Sequence, residues 1–149
     1  WRPFHEAEGT WFWWGSKGGE VTAKLYRKMY HYMVDEKKLN HLLWVWSTPT
    51  REGYPGDAYV DVIGWDIYLP RKEATDYRVQ YGQLRANTTN QKVAALTEVG
   101  YMPDVHALEQ SHTPWAFYMT WSKEFCIGEQ YNTKKELQEM YASPYAVKQ

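Results

Sequence analysis

The chain has one cysteine, no strong charge of either sign and no long apolar run. Cys126 has no partner for an internal disulfide and no Cys or His at zinc spacing, so it reads as a free thiol in or near a packed helix. It carries no information on redox compartment. The formal net charge is −1 and Lys and Arg form no run, which removes the electrostatic footprint of a nucleic-acid binder. No apolar stretch approaches the roughly 18 residues of a membrane span, and no signal peptide is recognisable. Neither a G-x-G-x-x-G nor a P-loop spacing occurs, and "GSKGGE" (15–20) reads as a turn ahead of a helix. His31, His41, His106 and His112 sit in no H-E-x-x-H or carboxylate cluster, so no metal is expected. The chain opens on Trp1 rather than Met, inside an apparent strand, as expected of a segment processed or cut from a longer protein.

What is present in excess is aromatic. Nine Trp and thirteen Tyr in 149 residues are more than a small core takes up, which points to a surface that stacks on flat ligands such as sugars or bases. Without a basic patch, sugars are the better reading. The length suits one domain with a real core.

Apolar runs alternate with helical patterns. Arg2 to Glu6 reads as the end of a strand, and Glu20 to Asp35 as a helix with Val21, Leu25, Tyr26, Met29, Tyr32 and Met33 on one face. "HLLWVWST" (41–48), "YVDVIGWDIYLP" (59–70), "QKVAALTEVG" (91–100) and "PWAFYMTWS" (114–122) read as strands. Glu73 to Asn87 reads as helical, 101–113 as a loop, and Asn132 or Thr133 as the cap of a last helix ending near Tyr141. This α/β order predicts parallel strands covered by helices, either doubly wound or part of a (β/α)8 barrel.

The polar residues favour the barrel. Glu6, Asp66 with Tyr68, Glu98 and Trp121 all fall at C-terminal strand ends, where parallel barrels carry function. Strand alternation then turns Phe4 and Arg2 inward with Glu6, and Leu96 and Ala94 inward with Glu98. An inward Arg2 needs an anion, for which Asp66 or Glu98 is the natural partner; the alternative is that it faces solvent.

"RPFHE…W", "GDAYVDVIGWDIY" and "ALTEVG" followed by "PWAFYMTWS" together resemble the second half of a glycoside hydrolase family 26 enzyme, a group dominated by endo-β-1,4-mannanases. The resemblance runs over essentially all of 1–149 and implies one (β/α)8 TIM-barrel catalytic domain, represented here by strands 4 to 8. It implies a retaining mechanism with Glu6 as acid/base and Glu98 as nucleophile. It also implies that His5, Trp11, Asp66, Tyr68 and Trp121 bind substrate, with Trp11 and Trp121 as platforms and Tyr68 donating a hydrogen bond to Glu98. For Trp13 and Trp14 a core or interface role fits equally well. No cofactor is implied, since hydrolysis needs water and two carboxylates.

The resemblance implies a polysaccharide or oligosaccharide as substrate, with mannan ahead of mixed-linkage glucan or xylan. A polymer substrate implies a secreted or cell-surface protein. Because strands 1 to 3 are missing from the pattern, the expected partner is an N-terminal barrel half, as a separate chain or a missing segment. The competing reading is a non-catalytic half-barrel that binds carbohydrate without turnover. Neither nucleic acid nor membrane is expected as a partner.

Overall fold

The computed structural model describes residues 1–126 and 128–147. Four strands, β1 (Val45–Ser47), β2 (Val62–Ile67), β3 (Val93–Val99) and β4 (Trp115–Thr120), form one parallel sheet in chain order. The helices are α1 (Gly19–His31), α2 (Arg78–Asn87), α3 (Val105–Ser111) and α4 (Lys134–Ala142). Helices α2 and α3 link successive strands, as parallel neighbours require.

The core explains the pattern. Trp46, Ile63, Leu84, Leu96 and Val99 are fully buried along the sheet, and Tyr26 of α1 is buried with them. β2 and β3, covered on both faces, read as near-continuous apolar runs for that reason. The last helix starts where its cap chemistry places it. Thr133 accepts from the Glu136 N–H, and the Glu136 carboxylate accepts from the Thr133 N–H, a reciprocal capping box.

Five expectations change. The helix expected from Glu73 begins only at Arg78, after Tyr77 in the left-handed region. Arg2 to Glu6 is not a strand. It runs beside β1, with the Val45 N–H donating to Trp1 O and the Glu6 N–H to Ser47 O, both at 2.9 Å, but Phe4 and Glu6 adopt positive φ (56° and 52°) and break the ladder between them. The described sheet therefore has four strands rather than five. The stretch 101–113 is not all loop. Asp104 accepts from the Ala107 N–H and starts α3, so His106 lies on a helix, and His112 ends it in the left-handed region.

The buried face of α1 is centred on Thr22, Ala23 and Tyr26, leaving Val21 and Tyr32 turned outward. The Thr22 hydroxyl donates to Trp14 O at 2.6 Å and sets that rotation. Residues 32–36 continue the helix as a π turn. Finally, Cys126 is exposed just after a 3-10 turn at Lys123–Phe125, not packed in a helix. Among the described residues, no helix is long and apolar enough to cross a membrane.

Candidate active site

The C-terminal ends of β1, β2 and β3 carry a buried polar cluster. Asp66 and Glu98 are register partners on neighbouring strands and are 9% and 5% exposed. Two carboxylates so placed need a cation, and Arg2 provides one. Its Nη1 lies 2.7 Å from Asp66 Oδ2 and its Nη2 lies 3.2 Å from Glu98 Oε2. Arg2 thus faces inward and meets both of the anions named for it from the sequence. On the other side the Tyr68 hydroxyl donates to Glu98 Oε1 at 2.5 Å.

The same neighbourhood sets proton affinities. Burial pushes the Asp66 carboxyl above the usual range, while Arg2 and the hydroxyls of Thr97 and Ser47 oppose the rise and the Glu98 charge adds to it. Partial burial, the hydrogen bond to Glu98 and the Glu98, Glu6 and Asp66 charges hold the Tyr68 phenol far above its usual range, so it remains a donor.

Glu6 stands at the tip of the segment beside β1. Its left-handed backbone costs a non-glycine residue about 1–2 kcal/mol. The Glu6 N–H bond to Ser47 O and the Ala7 N–H bond to Thr48 Oγ1 (3.0 Å) hold that geometry in place. Trp11, 65% exposed, donates its indole N–H to Glu6 Oε2 at 2.9 Å. The Trp11 ring lies against Gly9 so closely that a Cβ there would fall 2.3 Å from it, so one indole face rests on backbone.

Of the remaining rings, Trp14 is structural. It stacks on Phe12 (centroids 4.3 Å apart), donates its indole N–H to His5 O and packs on the main core, whereas Trp13 is exposed. Trp121 follows β4, half-exposed, and its N–H donates to Val99 O. The structure therefore brings His5, Asp66, Tyr68 and Glu98 to the sheet's C-terminal ends, with Glu6 and Trp11 on the adjoining segment and Trp121 just beyond β4.

Among the described residues, His5, Asp66 and Glu98 bring one ring nitrogen and two carboxylate oxygens within 4.8 Å of one another. That donor set suits a divalent cation. The guanidinium of Arg2 already bridges the two carboxylates, however, so a metal would have to displace an ion pair.

Two contributors escaped the sequence reading. Ser47 and Thr97 aim buried hydroxyls at Asp66 Oδ1, each at 2.7 Å. The signal that points to them is Gly64, an isolated glycine inside a strand pattern, which marks a bulge or a close approach. Here a Cβ at Gly64 would lie 2.2 Å from Thr97 Cγ2.

The family model for glycosyl hydrolase family 26 matches residues 1–149, and the chain belongs to that family. A mannan endo-1,4-β-mannosidase of Thermothelomyces thermophilus is 35% identical over 147 residues, covering 99% of this chain and 30% of its own length. The crystal structure of a Podospora anserina β-(1,4)-mannanase superposes with a TM-score of 0.89 at 35% identity, over 99% of this chain and 33% of that one. A β-mannanase from a symbiotic protist of the termite Reticulitermes speratus, complexed with gluco-manno-oligosaccharide, gives 0.86 at 35% identity, over 99% and 46%. The parallel sheet is thus part of a (β/α)8 barrel. The chain spans about a third of the length of the first two of these relatives.

Proposed function

We propose that this chain carries the catalytic carboxylates of a retaining endo-β-1,4-mannanase that acts on mannan or galactomannan by double displacement. The observation that carries the reading is the treatment of Glu98. It is buried at a strand end, with one carboxylate oxygen on the Tyr68 hydroxyl and the other on Arg2, the restraint expected of a nucleophile that must attack along one line. In this mechanism Glu98 attacks the anomeric carbon while Glu6 protonates the leaving oxygen. Glu6 then takes a proton from the water that releases the sugar.

Trp11 and Trp121 present half-exposed or exposed indole faces on which a pyranose C–H face can stack, and His5, Asp66 and Tyr68 offer polar edges for hydroxyls. The relatives' names as mannanases favour mannan over glucan or xylan. A polymeric substrate places the protein outside the cell or on its surface.

An N-terminal barrel half completes the reading. β4 is one of the two edge strands of the described sheet, and Phe117 and Met119 on it are exposed. An apolar edge of this kind in a closed barrel belongs against further strands. The test is reducing-sugar release from galactomannan, mixed-linkage glucan and xylan, by the chain alone and with the N-terminal half of the Podospora anserina enzyme. Galactomannan cleavage that disappears in both Glu6→Gln and Glu98→Gln is the expected result. Oligosaccharide binding without turnover, unchanged in both variants, overturns it in favour of a non-catalytic half-barrel.

A further inference from the structure

We infer that Ser47 and Thr97 are positioning residues for Glu98, acting through Asp66 and Arg2. The inference deepens the mannanase reading and rests on it for its kinetic consequence. The chain of contacts crosses three strands. The Ser47 and Thr97 hydroxyl oxygens each lie 2.7 Å from Asp66 Oδ1 and 2.6 Å from one another, so two hydroxyl protons are shared among these three contacts. That occupies Oδ1 and leaves Oδ2 for Arg2 Nη1, while Arg2 Nη2 reaches Glu98 Oε2. The plane of the Asp66 carboxylate therefore sets the guanidinium, and the guanidinium sets one oxygen of Glu98.

The backbone is shaped for this arrangement. Between β2 and β3 the register pairs Trp65 with Leu96 and then Asp66 with Glu98, so Thr97 is the extra residue of a one-residue shift. In a regular strand Thr97 and Glu98 would point to opposite faces. Thr97 keeps the face of Ala95, and the irregularity re-aims Glu98 onto that same face, so the Thr97 hydroxyl and the Glu98 carboxylate both meet the Asp66–Arg2 pair. Gly64 is the second adaptation, since any side chain there would fill the space that Thr97 occupies. Groups facing Asp66 are then Arg2, Glu98, Ser47 and Thr97, with His5 beside the pair of carboxylates.

A bland alternative exists: the hydroxyls could serve only to satisfy a buried carboxylate. In that case their loss lowers stability and leaves the chemistry alone. Thr97→Val keeps the shape and removes the donor, Thr97→Ser restores it, and Ser47→Ala removes the second donor with less change in volume. Thr113→Val, at a buried threonine far from the cluster, is the control.

The first measurement is carboxyl-carbon NMR titration of Asp66 together with the Arg2 side-chain resonances, in this chain and without substrate. Removing a hydrogen bond to the charged form in Thr97→Val should raise the Asp66 midpoint and broaden or shift the Arg2 signals, with Thr97→Ser returning both. The second is kinetics on a manno-oligosaccharide, run with the N-terminal half present. We expect kcat to fall about tenfold to a hundredfold in Thr97→Val while KM changes less than about twofold, with recovery in Thr97→Ser.

Unchanged Asp66 and Arg2 signals in a folded Thr97→Val overturn the network. Shifted signals with an unchanged kcat overturn the positioning role. If Thr97→Val does not fold, Ser47→Ala is judged by the same criteria. A parent that hydrolyses nothing defeats the mannanase reading and the catalytic meaning of the network with it. The NMR arm, which needs no turnover, still reports whether the hydroxyls hold Asp66 and Arg2, so the two failures are distinguishable.

Discussion

β3 and β4 are neighbours in one sheet and look equally apolar in sequence, as VAALTEV and WAFYMT, yet six of the seven β3 residues are buried and none of the six in β4 is. The difference lies in what stands beside each strand. β3 has β2 on one side and β4 on the other, and its charged residue, Glu98, finds its partners inside this chain. β4 has β3 on one side alone, and the groove along it is lined by Trp115, Phe117, Tyr118, Met140 and Tyr145. The polar half of the site is thus satisfied locally while the apolar edge is not. Hydropathy reports the burial that a strand is suited to, and topology decides whether it is reached.

The largest expected effects fall on the polar side. Glu98→Gln and Glu6→Gln should each lower galactomannan hydrolysis by about 10³-fold or more, with melting temperatures within a few degrees of the parent. An equally large drop in stability would mean that these carboxylates are scaffold rather than machinery. Next comes a direct contrast of the two strands. Leu96→Ala, at a position with no exposure, should cost about 2–5 kcal/mol in denaturant unfolding, whereas Phe117→Ala should cost less than about 0.5 kcal/mol in the chain alone. Adding the N-terminal half should make Phe117→Ala costly. If Phe117→Ala is as damaging as Leu96→Ala in the chain alone, the chain covers its own edge, through self-association or rearrangement.

Much of this contrast was legible beforehand, and the gaps have physical causes. Period-2 alternation counted back from Glu98 turns Leu96 and Ala94 to the site face; both are buried, but they pack with Tyr77 and Leu84 on the helix side, while Ala95 clusters with Val45 and Val62. Arg2 does turn toward Asp66 and Glu98, although its segment is not a strand. The alternation breaks at the Thr97–Glu98 step, because a register shift cannot be read from one strand without its neighbour. Arg2 to Glu6 has the composition of a strand end, but two left-handed residues interrupt it, and nothing in Phe4 or Glu6 announces positive φ. Helix α3 was missed because its seven residues, VHALEQS, carry only one turn of apolar spacing, although Asp104 is a good N-cap. The final helix was legible because Thr133 and Glu136 spell out a capping box. The fold class and the juxtaposition of the acidic residues were thus within reach, while the hydroxyl layer beneath them was hidden in backbone irregularity.

A smaller effect tests that layer by volume. Gly64→Ala brings a Cβ to 2.2 Å from Thr97 Cγ2, and both residues are held in a buried sheet. Relief requires Thr97 to rotate away from Asp66, so the expected cost is about 1–3 kcal/mol in unfolding free energy. Gly82→Ala, where a Cβ meets nothing on an exposed turn of α2, should be neutral or stabilising by up to about 1 kcal/mol. Equal effects at the two glycines would show that the space beside Thr97 is not tightly occupied.

The smallest effect, and the most discriminating, is the pH dependence that Asp66 imparts. Its carboxyl is raised in the folded chain, burial being the largest cause, so between the ordinary aspartate value and the raised one the folded state holds more protons than the unfolded state. Stability must then fall as pH rises through that window. Asp66→Asn keeps the shape and cannot titrate, so it lacks this slope. Melting temperatures measured from about pH 3.5 to 7 should therefore show the parent losing ground to Asp66→Asn by a few degrees at most as pH rises. The opposite trend would mean that Arg2, Ser47 and Thr97 together outweigh burial and hold Asp66 ionised more firmly than water does. That outcome would make the three donors the dominant force on this carboxylate and would strengthen their assignment as the framework that orients Glu98.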